Sequence, residues 1–186
     1  MYIPIISIAV IAVIAAAVLG AIFWAIGTSN KFKAMLVKIR EADSGIDVTL
    51  TKRFDTLTKL MDVVKAYARH EAGLIAETIK LRSGIGLEEK AKIHHQMEAA
   101  ERQLNVVAEA YPELRSSDNY KQLQGAIVEA EDHLQGARRV YNMNVSAFNQ
   151  AIVQFPASII ANSAKYTAQQ FFEAEEQKKN DVKINL

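Results

Sequence analysis

This chain lacks several kinds of residue whose presence would point to particular protein classes. It has no cysteine, which excludes disulfide bonds and thiolate metal ligands and is compatible with either redox compartment. Its 186 residues include three prolines and eight glycines, so residues that interrupt helices are scarce. It has no excess of either charge, with a formal net charge of +1, and nucleic acid is therefore not an expected partner. The abundant Ala, Glu, Lys, Gln and Leu indicate a helical protein.

Charge is absent from the first thirty residues, and the first charged side chain is Lys31. Residues 3–26 are almost entirely apolar, and a helix needs about 20 such residues to cross a bilayer core of ~30 Å. Trp24 near the end of the run is typical of a membrane interface. We therefore expect residues 1–27 to form a transmembrane anchor. Its candidate membrane-anchoring residues are Ile3, Ile6, Val10, Ile14, Val18, Ile22, Trp24 and Ile26.

A cleaved signal peptide is the competing interpretation of this segment. Signal peptides begin with basic residues and have an apolar stretch of about 7–15 residues. Here no basic residue precedes a longer run, which favours an uncleaved anchor. Lys31, Lys33, Lys38 and Arg40 follow the run. The positive-inside rule then predicts a short N-terminus outside and the C-terminal domain in the cytoplasm, at the cytoplasmic (inner) membrane.

A second pattern begins directly after the anchor. Apolar residues recur at alternating spacings of three and four from Phe32 to Leu81, which predicts one amphipathic helix over about 30–82. We call this row of positions the apolar lane. Four of its positions are not apolar: Asp43, Arg53, Glu71 and Thr78. The helix is long for its expected neighbours, so part of its apolar stripe is expected to face another copy of the protein.

Three more helices are predicted along the chain. The second covers about 88–110 and is ended by Pro112, and the third begins near Ser117 or Asp118 and ends at Phe155-Pro156. The last covers about 164–179. Each has a single apolar stripe that must be buried against a neighbour. The predicted fold is all-α: an N-terminal transmembrane helix followed by an antiparallel bundle of three to four long helices over residues 28–179, with a C-terminal tail over 180–186.

The third predicted helix carries a polar pattern on its otherwise apolar lane. Asn142 and Asn149 are seven residues apart and share a helix face, and Arg138 lies one turn before Asn142. Two interpretations are open. A buried polar ladder would fix the register between helices, because a mispaired asparagine loses its hydrogen bonds. Alternatively, the same residues would form a polar seam that binds a ligand.

The stretch from Arg138 to Pro156 resembles the signature of the LemA family, roughly R-x-x-Y-N-x-x-V-x-x-[FY]-N-x-x-I-x-x-F-P. The matching residues, which we also expect to pack the bundle, are Arg138, Tyr141, Asn142, Val145, Phe148, Asn149, Ile152, Phe155 and Pro156. Blocks at 46–55, 67–71 and 108–114 and the pair Phe172-Glu173 also fit, whereas Asp43 and Thr58-Lys59 depart from the family's pattern. The resemblance implies a membrane-anchored helical bundle with a short outer N-terminus, and it implies no defined activity.

One set of side chains has the spacing of metal ligands. His94, Glu98 and Glu101 share a face of the second predicted helix at i, i+4 and i+7. The alternative interpretation is the solvated polar face of an amphipathic helix. The sequence contains no nucleophile elbow and no phosphate-binding loop. We therefore expect no catalytic residue, no cofactor and no metal.

Two functions fit these expectations. The first is a structural scaffold that self-assembles and organises the cytoplasmic membrane. The second is a membrane-tethered adaptor or regulator that presents a cytoplasmic face to an unidentified protein partner. An enzyme or metal binder is the third and least favoured function. The expected partners are thus the lipid bilayer and further copies of the chain.

Overall fold

The computed structural model describes residues 2–68 and 86–172, with side chains from Ile8 onward. Over these ranges the chain contains five α-helices and no strand. The helices are α1 at Tyr2–Tyr67, α2 at Leu87–Glu109, α3 at Pro112–Ser116, α4 at Asp118–Val153 and α5 at Ala157–Ser163. The predicted class is confirmed: the fold is all-α, with one long apolar N-terminal helix followed by packed helices.

The described residues belong to two compact units. The first unit contains residues 2–40 of α1 and residues 143–170, which include the end of α4 and all of α5. Its core is aromatic: the ring of Phe32 lies 6.3 Å from that of Phe148 and 5.3 Å from that of Tyr166. Edge-on aromatic pairs of this kind add stability beyond the apolar area they bury.

The second unit contains residues 41–68, 86–142 and 171–172. Its core consists of apolar side chains from α1, α2, α3 and α4 at the helical spacings that the sequence pattern predicts. The buried members of this cluster are Leu57, Leu60, Val64, Ile93, Met97, Leu104, Ala108, Leu114, Tyr120 and Ile127.

Polar contacts give the directions of the helices. In the second unit, Lys90 near the start of α2 binds Asp43, and Glu101 further along α2 binds Arg53, so α2 runs parallel to α1. In the first unit, Asn144 of α4 donates to the carbonyl of Lys38 and Phe148 contacts Phe32, so α4 runs antiparallel to α1. The predicted antiparallel arrangement therefore applies to α4, whereas α1 and α2 run in the same direction.

The observed helix ends agree with most of the predicted ones. α2 begins and ends within one residue of expectation, and α4 begins at Asp118, with the Ser117 hydroxyl accepting the N–H of Tyr120. Pro112 does not itself end α2; it is the first residue of the short α3, where a proline needs no hydrogen-bond partner. The part of the first predicted helix from residue 69 to 82 lies outside the described residues.

The helix predicted over about 164–179 is wrong for residues 164–172, which are not helical. α5 ends at Ser163, and Lys165 adopts a left-handed conformation with φ of 55°. The N–H of Tyr166 then donates to the carbonyl of Ala161 at 3.0 Å, a 6→1 bond that closes helix ends. From Tyr166 the chain continues beside α4 to Phe172, and residues 173–179 lie outside the described part.

Candidate functional site

Asn149 of α4 binds the backbone of a non-helical segment within the first unit. Its side-chain oxygen accepts the N–H of Gln169 at 2.8 Å, and its amide nitrogen donates to the carbonyl of the same residue at 2.9 Å. A backbone that is neither helical nor in a sheet leaves both polar groups of each residue without an internal partner. Asn149 supplies both partners for Gln169.

Asn142 makes the same pair of bonds within the second unit. Its side-chain oxygen accepts the N–H of Phe172 at 2.8 Å, and its amide nitrogen donates to the Phe172 carbonyl at 3.0 Å. The guanidinium carbon of Arg138 lies 4.5 Å from the centre of the Phe172 ring, a cation–π contact. Burial lowers the pKa of Arg138, and the carboxylates of Glu131 and Glu98 oppose that shift.

In each unit one asparagine of α4 holds the backbone of one residue that lies outside any helix. The predicted register device therefore pairs α4 with non-helical chain, not with a second helix. Because each amide is engaged through both its oxygen and its nitrogen, the motif here serves chain packing, and the ligand-seam interpretation receives no support from these contacts.

The apolar residues of the same motif are buried within α4, whereas the one beyond its end is exposed. Tyr141, Val145, Phe148 and Ile152 are buried. Phe155 is 83% exposed, although it was expected on the packed face. The physical reason is that α4 ends at Val153, so the helical periodicity that would turn residue 155 inward no longer applies. Pro156 follows through a cis peptide bond and is also exposed.

Replacing Asn149 by alanine is expected to lower the free energy of unfolding by about 1–2 kcal/mol, since two hydrogen bonds each contribute on the order of 1 kcal/mol. The amide hydrogen of Gln169 is expected to exchange faster, because its acceptor is lost. Hydrogen exchange read by mass spectrometry measures this directly. Asn144→Ala is the matched control, since Asn144 is half-buried like Asn149 but donates a longer, exposed hydrogen bond to the carbonyl of Lys38 at 3.3 Å. Equal exchange in the two variants would argue against the assigned role of Asn149.

Arg53 of α1 is the centre of a buried polar cluster in the second unit. Only 3% of Arg53 is exposed. Its guanidinium lies 2.6 Å from a carboxylate oxygen of Glu131 on α4 and 3.1 Å from one of Glu101 on α2. It also donates to Nδ1 of His94 at 2.7 Å. One guanidinium thus hydrogen-bonds to two residues of α2 and forms an ion pair with α4, the other long helix of this unit.

His94 is 3% exposed, so the predicted solvated face is wrong for this residue. Burial lowers the pKa of His94 from 6.5 to about 4; the nearby Glu131 opposes this shift and Arg53 reinforces it. Because Nδ1 accepts from Arg53, the neutral imidazole carries its hydrogen on Nε2, which lies 3.5 Å from Glu98. The ring is therefore an acceptor for the buried arginine.

The metal interpretation of His94, Glu98 and Glu101 conflicts with this geometry. Glu101 binds the guanidinium of Arg53, and the same guanidinium occupies the Nδ1 position of His94. A cation added here would lie beside an existing buried positive charge. Within residues 2–68 and 86–172, no group of three potential ligands has the geometry of a metal site.

Asp43 and Arg53, which interrupt the apolar lane of α1, form ion pairs that the sequence pattern did not predict. Asp43 binds the buried ammonium of Lys90 at 2.6 Å, and Asp47 binds it at 2.8 Å. A signal for these contacts was present: the two interruptions Asp43 and Arg53 have opposite charges, and α2 carries Lys90 and Glu101 in the same order. Parallel packing of α1 and α2 brings opposite charges together.

Stability is expected to fall as the pH decreases from about 6.5 to about 4, in part through His94. The pKa of His94 is lower in the folded state than in the unfolded state, so the unfolded state binds a proton first as the pH falls. The contribution of His94 to stability is therefore complete above pH 6.5 and is lost towards pH 4. The expected loss is on the order of 3 kcal/mol. Chemical unfolding at several pH values measures it. His94→Gln should flatten the slope, whereas His133→Gln, at an exposed position, should leave it unchanged; identical slopes in all three proteins would refute the assignment.

The candidate anchor residues lie on the N-terminal part of α1. Val10, Ile14, Val18, Ile22, Trp24 and Ile26 are all exposed, and the side chains of Ile3 and Ile6 lie outside the described part. α1 is the one described helix that is long and apolar enough to cross a membrane, and its apolar window is not covered by other described residues. A lone apolar helix in this position is a candidate membrane anchor.

Comparison with known proteins gives one family and several relatives. A model of the LemA family matches residues 42–186. Protein LemA of Metamycoplasma hominis is 26% identical over 162 residues, which cover 84% of this chain and 74% of that protein. Magnetosome protein MamQ of Magnetospirillum gryphiswaldense is 28% identical over 69 residues, and magnetosome protein MamQ 2 of Paramagnetospirillum magneticum is 31% identical over 70 residues. These last two matches cover 37% and 38% of this chain but only 25% and 26% of those proteins.

Proposed function

Because this chain belongs to the LemA family and its α1 continues from an apolar segment into a helical domain, we propose that it is a membrane-anchored scaffold that self-associates at the cytoplasmic membrane. The observation that carries the proposal is the uncovered apolar surface of α1 from Ile8 to Ile26. An uncovered surface of this size needs lipid or another helix around it. The proposal includes no catalytic step.

The orientation within this proposal follows from charge. Lys31, Lys33, Lys38 and Arg40 follow the apolar run, and no charged side chain precedes it. Basic residues beside a membrane span favour the cytoplasmic side. We therefore assign the helical domain to the cytoplasm and the start of α1 to the outer face.

Self-association is assigned to the anchor itself. The expectation that the long apolar lane of α1 faces another copy is not supported from Phe32 to Val64, because the chain's own helices bury that lane. Within the anchor, Ala12, Ala16 and Gly20 recur every four residues, a spacing that lets helices approach closely in lipid. A Cβ atom added at Gly20 would meet nothing within 4 Å, so this position is open to a neighbour.

The test is the size of the detergent-solubilised full chain, measured by light scattering during size-exclusion chromatography. We expect an oligomer for the wild-type chain and a smaller particle for Gly20→Leu and Ala16→Leu. Ala21→Leu is the matched control, because residue 21 lies about 100° around the helix from residue 20 and about 140° from residue 16. It should keep the wild-type size.

A wild-type chain that is a monomer at every concentration would count against self-association. The membrane-tethered adaptor would then be the better proposal, and crosslinking in cells should capture a different protein in place of a second copy. If all three leucine variants behave like the wild-type oligomer, the contact lies outside the lane of small residues.

A further inference from the structure

The first unit has an unusual charge distribution. Its residues 2–40 and 143–170 contain five charged side chains, all of them basic: Lys31, Lys33, Lys38, Arg40 and Lys165. No Asp, Glu, Lys, Arg or His occurs between Arg139 and Lys165. A positively charged surface next to an uncharged one is the combination that binds anionic bilayers, since headgroup phosphates meet the first and the acyl boundary meets the second.

The uncharged part of this unit lies level with the end of the anchor. Phe148 of α4 contacts Phe32 of α1, and the two helices run in opposite directions, because Asn144 binds the carbonyl of Lys38. Val153, five residues beyond Phe148 and about 7.5 Å further along the helix, is therefore level with Gly27. The burial of α1 is consistent with this position of Val153, because residues 8–24 are exposed and the first partly buried residue is Ala25.

Large apolar side chains are exposed at the end of α4 and just after it. They are Val153 at the end of α4, Phe155 in the following turn, and Ile159 in α5. We call residues 153–159 the apolar tip. Exposing an aromatic ring and two branched aliphatic side chains within seven residues is unfavourable in water. Lys165, which follows α5, is exposed and carries the nearest positive charge after the tip.

We infer that the apolar tip inserts into the interface of an anionic bilayer as a second membrane contact beside the anchor. Phe155, Val153 and Ile159 lie at the acyl boundary, and Lys31 and Lys165 bind headgroup phosphates. The inference rests on the proposed membrane anchoring by α1. It adds that the helical domain touches the membrane through a defined turn, which sets how the first unit is held against the surface.

The experiment measures tryptophan fluorescence of the full chain in vesicles of brominated phosphatidylcholine mixed with phosphatidylglycerol. Bromine on the acyl chains quenches tryptophans that lie in the membrane. Trp24 is the single tryptophan of the chain and reports on the anchor. In a Trp24→Phe background, Phe155→Trp reports on the tip. Val106→Trp, at an exposed apolar position of the second unit, is the control.

We expect strong quenching of Trp24, and several-fold more quenching for the tryptophan at 155 than for that at 106. Quenching of Trp24 with equal, weak quenching at 155 and 106 would overturn the inference while leaving the anchor intact. Absence of quenching at Trp24 would instead overturn the anchoring on which it rests. A tryptophan at 155 that becomes more solvent-exposed when the chain is diluted in lipid would identify a second copy as the occupant, which also overturns it.

Lys165→Glu, added to the reporter at 155, tests the headgroup contact. We expect weaker quenching in vesicles that contain phosphatidylglycerol and little change in vesicles of phosphatidylcholine alone, because repulsion requires anionic lipid. Equal quenching with lysine and glutamate in both vesicles would remove Lys165 from the proposed contact.

Discussion

Replacing Phe148 by alanine is expected to lower the free energy of unfolding by about 3–5 kcal/mol, the usual cost of removing a buried aromatic side chain. Phe148 is 0% exposed and packs against the rings of Phe32 and Tyr166, with centroids 6.3 and 6.1 Å away. The variant therefore leaves a cavity that three elements of the first unit line. Denaturant unfolding in detergent, followed by circular dichroism, measures the change.

Phe155→Ala is the matched control for this prediction. It removes the same side chain seven residues later in the same motif, at a position that is 83% exposed. The expected change is within about 0.5 kcal/mol, as for most surface substitutions. A control that destabilises as much as Phe148→Ala would mean that Phe155 is packed in the folded protein, contrary to this structure.

Replacing Arg53 by methionine is expected to lower the free energy of unfolding by about 3 kcal/mol, because it leaves two half-buried carboxylates, 22% and 28% exposed, without their cation. Glu131 and Glu101 both lie within 3.1 Å of the guanidinium, and His94 loses the donor to its Nδ1. Methionine fills part of the volume of the arginine side chain, so the loss of stability reports mainly on charge and hydrogen bonding. The same unfolding measurement applies.

Lys52→Met is the control for Arg53→Met. Lys52 is the neighbouring residue and also pairs with a glutamate of α4, Glu129, at 3.2 Å, but both members of this pair are exposed to water. Exposed pairs contribute about 0–1 kcal/mol. If both methionine variants lose the same small amount of stability, the cluster around Arg53 is not an essential part of the fold.

Much of this fold follows from apolar periodicity in the sequence. The lane of α1 from Phe32 to Val64 is buried where the spacing of three and four predicts it, because a helix must hide one stripe against its neighbours. α2 begins within one residue of its predicted start, and Ser117, which accepts the N–H of Tyr120, is one of the two residues predicted to cap α4. These features depend on local helix propensity and on the helical periodicity of the apolar residues, and both can be determined from a single sequence.

The remaining features depend on contacts between distant residues. Residues 164–172 have helical composition, yet Asn149 and Asn142 satisfy the backbone of Gln169 and Phe172 in another conformation. The parallel direction of α2 depends on pairing Asp43 with Lys90, and nothing local to either helix specifies it. Phe155 fits the apolar lane by spacing alone, but the lane ends where α4 ends.

We propose that the apolar part of α1 remains in the protein and holds the helical domain at a membrane. The most direct measurement is the intact mass of the protein recovered from membranes washed with alkaline carbonate. We predict that the protein stays in the washed membranes and that its mass includes residues 1–30. Recovery in the soluble fraction, or a mass that corresponds to a chain beginning after residue 30, would contradict the claim.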